Sequence, residues 1–229
     1  MSCILHIETS TEACSVAVSE DGWNEFKVSD LQGPQHAVQL GVFVDEALSF
    51  VDSHGMVLDA VAVSCGPGSY TGLRIGVSMA KGICYGRNLP LIAIPTLEVM
   101  CVPVLLQQEL PEDALLCPMI DARRMEVYAS IFNTQGESLS DVTAEIITEG
   151  SFGEWRGDDA RKFVIFGNGA KKSCEVLSDA VYVDVTPSAR GIVRLAEEMF
   201  NASKFEDIAY FEPFYLKDFM VIPSKKKLL

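Results

Sequence analysis

The sequence predicts an α/β protein of two lobes, each a mixed sheet covered by helices. Three observations carry that expectation. Three short strand patterns joined by tight turns are followed by alternating helices and strands. The same order recurs in the second half of the chain. Finally, 229 residues of which 48% are hydrophobic can bury one large core or two modest ones.

In the first hundred residues, strands are expected at 4–8 and 14–19. A Glu20-Asp21-Gly22 turn leads to a third strand at 24–28. A helix follows at 36–51, then a strand at 60–64, a helix at 71–86 and a strand at 91–94. The second half repeats strands at 115–120, 127–132 and 138–142, the second and third joined by a Thr134-Gln135-Gly136 turn. A strand at 163–166, a Gly167-Asn168-Gly169 turn, a helix at 170–177, a strand at 181–184 and a helix at 188–200 complete it. This echo resembles the duplicated, ribonuclease H-like fold of the actin, Hsp70 and sugar-kinase superfamily, whose two lobes face each other across a cleft. The expected lobes are 1–106 and 107–229, meeting near Gln107 to Asp113 with Pro103 and Pro111 close by, and the C-terminal helix is free to cross back onto the first lobe. The tail from Ser224 to Leu229 reads as a frayed end.

The formal charge of −14 is evenly spread: residues 1–100 hold 11 acids and 4 bases, and residues 101–229 hold 21 and 14. Such a surface repels phosphate backbones, so any nucleic acid is expected to be gripped by other subunits. The start of the chain shows no basic leader or cleavage site, and no apolar run reaches the roughly 18 residues of a membrane span, so a cytoplasmic protein is expected. Seven cysteines, none closer than eleven residues to the next, read as reduced thiols and not as a disulfide framework or a metal knuckle. His6, His36 and His54 have no metal-ligand spacing, and His6 reads as packed within a strand.

The most informative stretch is Gly66-Pro67-Gly68-Ser69-Tyr70-Thr71-Gly72-Leu73-Arg74-Ile75-Gly76, a glycine-rich turn that opens a helix. Such a start offers free N–H groups to an anion, and Ser69 or Thr71 equally suits an ordinary cap. It is not a P-loop, since no lysine follows Gly72 and Lys81 lies more than two turns further on. Gly72, Gly76 and Ala80 recur every fourth residue, and interior glycine costs roughly 1 kcal/mol against alanine, a cost usually offset by a close backbone neighbour. On the preceding helix Leu40, Val44, Ala47, Leu48 and Val51 form a core stripe, while Val38, Val42, Phe43 and Phe50 lie off it. We therefore expect a partner interface at Gly72, Gly76, Ala80, Val38 and Val42, with Arg74 at its rim. Candidate nucleotide or anion ligands are Glu8, Thr9, Ser10 and Thr11 in the first turn, with Gly167 and Gly169; the hydroxyls also suit the turn itself. Asp121 to Tyr128 reads as a solvated turn with local ion pairs.

Taken together, Glu8 to Ala17, the segment from Gly66 to Gly76 with Ala80-Lys81-Gly82, Pro95-Thr96-Leu97, Asp121 to Tyr128 and Pro213-Phe214-Tyr215-Leu216 closely resemble the TsaB (YeaZ) family. The resemblance implies a non-catalytic subunit needed for threonylcarbamoyladenosine at position 37 of tRNAs that read codons beginning with adenine. Its implied partners are a TsaD-type transferase and a TsaE-type ATPase, with tRNA met only through the complex and a homodimer when alone. No cofactor is expected to be tightly bound, although ATP or ADP at a subunit interface is compatible with it. The related catalytic subunit carries an Asn-His-Leu-Glu-Gly-His type turn whose histidines bind metal. Here the turn reads Pro95-Thr96-Leu97-Glu98-Val99-Met100, so Thr96 and Met100 replace both ligands and no metal is expected. Glu8 stands where the family commonly has aspartate. The runners-up are an actin-like phosphotransferase or ATPase and a glycoprotease-type metallopeptidase.

Overall fold

The computed structural model describes residues 2–30, 36–107, 109–157 and 161–217. The first sheet begins as a meander of β1 (Cys3–Glu8), β2 (Cys14–Glu20) and β3 (Trp23–Asp30). It continues through α1 (His36–Ser53), β4 (Ala60–Gly66), α2 (Tyr70–Arg87) and β5 (Leu91–Pro95). The strand order is β3-β2-β1-β4-β5, with β1, β4 and β5 parallel. Helices and neighbouring chain cover both faces of β1 and of most of β4, which is why they read as unbroken apolar runs. The edge strand β3 instead alternates between exposed and half-buried positions.

After α3 (Thr96–Gln107) the pattern returns as β6 (Leu115–Asp121), β7 (Glu126–Ala129), β8 (Thr143–Ile146), α4 (Gly153–Arg156), β9 (Phe163–Phe166), α5 (Ala170–Ser173), β10 (Val181–Val183) and α6 (Ala189–Asn201). The second sheet runs β8-β7-β6-β9-β10, with β7 antiparallel to its neighbours and β6, β9 and β10 parallel. Order and direction match the first sheet strand for strand. The duplicated two-lobed fold is therefore present.

Three details depart from the sequence reading. Residues 138–142 form only an isolated bridge at Ser138, and the third strand is β8. Serines displace the ladder there: Ser130 Oγ donates to Ser140 O at 2.7 Å, and Ile131 N donates to Ser140 Oγ at 2.9 Å. The helix expected over 170–177 stops at Ser173, whose carbonyl accepts from both Val176 N and Leu177 N. Finally, α3 stands where only a turn was expected.

That helix is buried between the lobes. Leu97, Met100, Cys101 and Val104 pack with Leu116, Phe132, Val164 and Phe166 of the second lobe, while Val99 packs with Ile94 and with Ile192 and Ala196 of α6. α6 itself lies on the first sheet over Ile4, Ala60, Ala62 and Ile92. The approach is close enough that a Cβ on Gly191 would sit 2.9 Å from Val99 O. The chain beyond α6 then forms a strap. Glu206 N donates to Leu91 O, Lys81 Nζ to Phe211 O and Phe214 N to Cys65 O, at 2.8–2.9 Å. Lys217 Nζ then reaches Glu126 Oε1 of the second lobe at 2.5 Å. The tail from Ser224 lies outside the described residues.

Candidate partner surface and the closed first turn

Ser69 caps α2: its Oγ accepts from Gly72 N at 3.2 Å, and Asn88 ends the helix in the left-handed region. The small-residue face of α2 does not meet a partner, and this corrects the expectation for Gly72, Gly76 and Ala80. A Cβ on Gly72 would lie 2.1 Å from Thr9 O, one on Gly76 would lie 2.2 Å from Thr9 Oγ1, and Ala80 is fully buried. Thr9 Oγ1 donates to Gly72 O at 2.8 Å. The glycines do mark a close backbone neighbour, but it is this chain's own turn between β1 and β2.

The same contact closes the candidate anion site. Glu8, Thr9, Ser10 and Thr11 are all buried. Ser69 N donates to Ser10 O at 2.6 Å, and Gly68 is pressed so closely on that carbonyl that a Cβ would lie 2.4 Å from it. Glu8 Oε1 accepts from Ser10 N at 2.6 Å, with the hydroxyls of Ser10 and Ser64 beside the carboxyl. Burial raises the Glu8 pKa, and these polar neighbours only partly oppose it. The glycine turn of the second lobe is not brought to this site. Gly167, at φ +101°, is pressed against Met100 and Met119 O, and Gly169 N donates to Met119 O at 3.0 Å. Both glycines serve packing around β6, so the residues named as a nucleotide cradle lie in two separate turns, and in the first Glu8 Oε2 and the hydroxyls of Ser10 and Ser64 are buried without a hydrogen-bond partner among the described residues.

His6 is fully buried, with Nε2 2.7 Å from Ser19 Oγ, and burial drives its pKa down to about 3. Thr96 Oγ1 accepts from Gly66 N at 3.1 Å, and Met100 lies in the core. Among the described residues no three His, Cys, Asp or Glu side chains are grouped to hold a metal. In the Asp121 to Tyr128 turn, Arg123 and Arg124 take positive φ, and Lys172 pairs with Asp121 while donating to Arg124 O and Glu126 O at 2.7 Å.

What remains open is the outer side of the helix pair. Val38 and Val42 of α1 are 69% and 52% exposed. On α2, Arg74, Ile75, Ser78, Met79, Gly82 and Ile83 line a shallow groove of about 600 Å³. Arg74 Nη1 donates to Tyr70 Oη at 2.9 Å, which orients the guanidinium along the helix. Ile75, Met79 and Ile83 were passed over in the sequence, although their spacing of four, one position from the glycine stripe, is the signal of a second apolar row.

Fold and surface thus define a duplicated two-lobed α/β protein whose first-lobe helices present an apolar outer face. The chain belongs to the TsaD family, described as tRNA N6-adenosine threonylcarbamoyltransferase, whose model matches residues 30–151, and within it stands with the TsaB/YeaZ proteins. It is 29% identical to the tRNA threonylcarbamoyladenosine biosynthesis protein TsaB of Escherichia coli (strain K12) over 94% of both chains. To the protein of the same name from Haemophilus influenzae it is 36% identical, over 56% of this chain and 52% of that one. The crystal structure of YeaZ from Pseudomonas aeruginosa superposes with a TM-score of 0.78 at 25% identity, covering 94% of this chain and all of that one.

Proposed function

We propose that this chain serves the formation of N6-threonylcarbamoyladenosine at position 37 of tRNAs that read codons beginning with adenine. It acts as a partner subunit with no catalytic centre of its own, stabilising a TsaD-type transferase. The observation that carries the reading is its end-to-end similarity to proteins named for this biosynthesis, joined to a first turn packed tightly against α2. The surface we assign to the partner is the outer face of α1 and α2, around Val38, Val42, Arg74 and Met79. A stable contact buries about 800 Å² per partner, with an apolar centre and a polar rim, and Arg74 suits the rim. A TsaE-type ATPase joins the same assembly, ATP or ADP is accommodated between subunits, and tRNA is met only through the complex. Alone, the chain pairs through this face into a homodimer, and it works in the cytoplasm. No helix among the described residues is long and apolar enough to cross a membrane.

The test is co-purification with the TsaD-type subunit, read beside the threonylcarbamoyladenosine content of digested tRNA. Met79→Glu, which puts a charge at the centre of the groove, should abolish co-elution and modification while leaving the circular dichroism of the chain unchanged. Undiminished binding by a folded Met79→Glu chain would remove the surface assignment. Full modification without the chain would remove the function.

A further inference from the structure

The two lobes and the strap enclose a second cavity, of about 250 Å³, that none of the roles above uses. The first lobe supplies Cys65, Gly66 and Pro67 at the end of β4, with Pro95, Leu97 and Glu98 where β5 passes into α3; the second lobe supplies Ser130, Phe132, Ser138 and Val142, and the strap supplies Phe214. The walls are hydrocarbon and aromatic apart from a few polar groups, of which one carries charge. Among the described residues, Glu98 has no hydrogen bond or ion pair, and no lysine, arginine or histidine lines the cavity. The strap's two lysine contacts lead elsewhere, Lys81 to Phe211 O and Lys217 to Glu126.

Burial raises the Glu98 carboxyl above its ordinary value and pushes the Cys65 thiol up to about 12. A carboxylate in a half-enclosed apolar pocket is costly unless a positive charge meets it. The volume falls below the roughly 300–1,000 Å³ typical of sites for larger ligands. Size and charge together select a small cation with a short hydrocarbon body.

We propose that the pocket between the lobes binds a small organic primary ammonium, its nitrogen on the Glu98 carboxylate and its hydrocarbon chain against Pro67, Leu97, Phe132, Val142 and Phe214. Ser130 Oγ is committed to Ser140 O at 2.7 Å and serves as wall.

The experiment titrates the full chain, isotopically labelled for amide NMR, with n-butylammonium chloride in about 0.15 M NaCl, where charges beyond roughly 8 Å are screened. Saturable shifts are expected at Cys65, Gly66, Leu97, Glu98, Phe132 and Phe214. A charge-assisted bond is worth about 1.5–3 kcal/mol, so Glu98→Gln should weaken binding about ten- to a hundredfold. Val142→Phe, which fills the pocket without touching the charge, should weaken it comparably and carries the test if Glu98→Gln does not fold. Neutral n-butanol should bind much more weakly than the ammonium. Non-saturating shifts spread over the acidic surface, an affinity in both folded variants equal to that of the parent chain, or equal binding of n-butanol would each overturn the proposal.

Discussion

Replacing Gly76 by alanine places a methyl carbon 2.2 Å from Thr9 Oγ1, far inside the roughly 3.5 Å of an ordinary contact. The neighbour is a β-branched side chain on a buried turn, held by its bond to Gly72 O, so it cannot simply swing away. Overpacking of this kind costs about 1–3 kcal/mol, and breaking the threonine bond adds about 1 kcal/mol. Better helix propensity returns about 1 kcal/mol. The net expectation is a loss of about 1–3 kcal/mol, or roughly 2–12 °C in Tm for a chain of this size. Urea unfolding should show a lower midpoint with an unchanged m-value. Thr9→Ala removes the group in the way, so the double variant Thr9→Ala/Gly76→Ala should be about 1–2 kcal/mol more stable than the sum of the two single effects. A neutral or stabilising Gly76→Ala, additive with Thr9→Ala, would refute the placement of this face inside the chain and return it to the surface.

Three further outcomes are expected. His6 has a folded-state pKa of about 3, below the ordinary 6.5, so as pH falls from 6.5 the unfolded chain takes up a proton that the native chain refuses. Stability therefore drops by up to about 1.4 kcal/mol per pH unit from this group, and His6→Asn should flatten the pH dependence of the urea midpoint between about 6.5 and 5, above the main carboxylate range. Glu8 has the opposite sign: its folded pKa is raised, so its stabilising effect is full below about 4.5 and is lost as pH rises through the folded value. Glu8→Gln keeps an acceptor for Ser10 N, and its stability relative to the parent should improve on going from pH 5 to pH 8. Cys3, Cys14 and Cys84 are pushed up to about 11 and Cys117 higher still, mainly by burial, so iodoacetamide at neutral pH should label them only after denaturant is added.

The strands of the first lobe were legible because turn residues bound each apolar run, as Glu20-Asp21-Gly22 does between β2 and β3. α3 was not legible. Nearly every position from Thr96 to Leu106 is apolar, which erases the period of 3.6, and Pro103 argues against a helix interior. Residues 138–142 looked like a strand because nothing local reveals that Ser130 and Ser140 will bond to one another's region in place of a ladder. At the candidate site, spacing announced that something approaches α2 closely at Gly72 and Gly76, but identity of the neighbour is a tertiary fact. Thr9 lies 63 residues from Gly72, and no local pattern joins them. The half-buried row of Ile75, Met79 and Ile83 was available to the same periodicity and was hidden beside the more conspicuous glycines.

The placement of α3 also bears on how the two lobes can move. Swinging them apart would bring Leu97, Met100 and Val104 into water from between the sheets. Each such side chain carries about 1.5–3 kcal/mol of burial, so the opening would cost several kcal/mol before the strap contributions at Cys65 and Glu126 are counted. A two-lobed enzyme that hinges through a working cycle needs a joint that yields at small cost, whereas here the joint is itself a piece of core. Mechanically the chain is a rigid bracket: it can hold another subunit's geometry steady because its own two halves are wedged and tied.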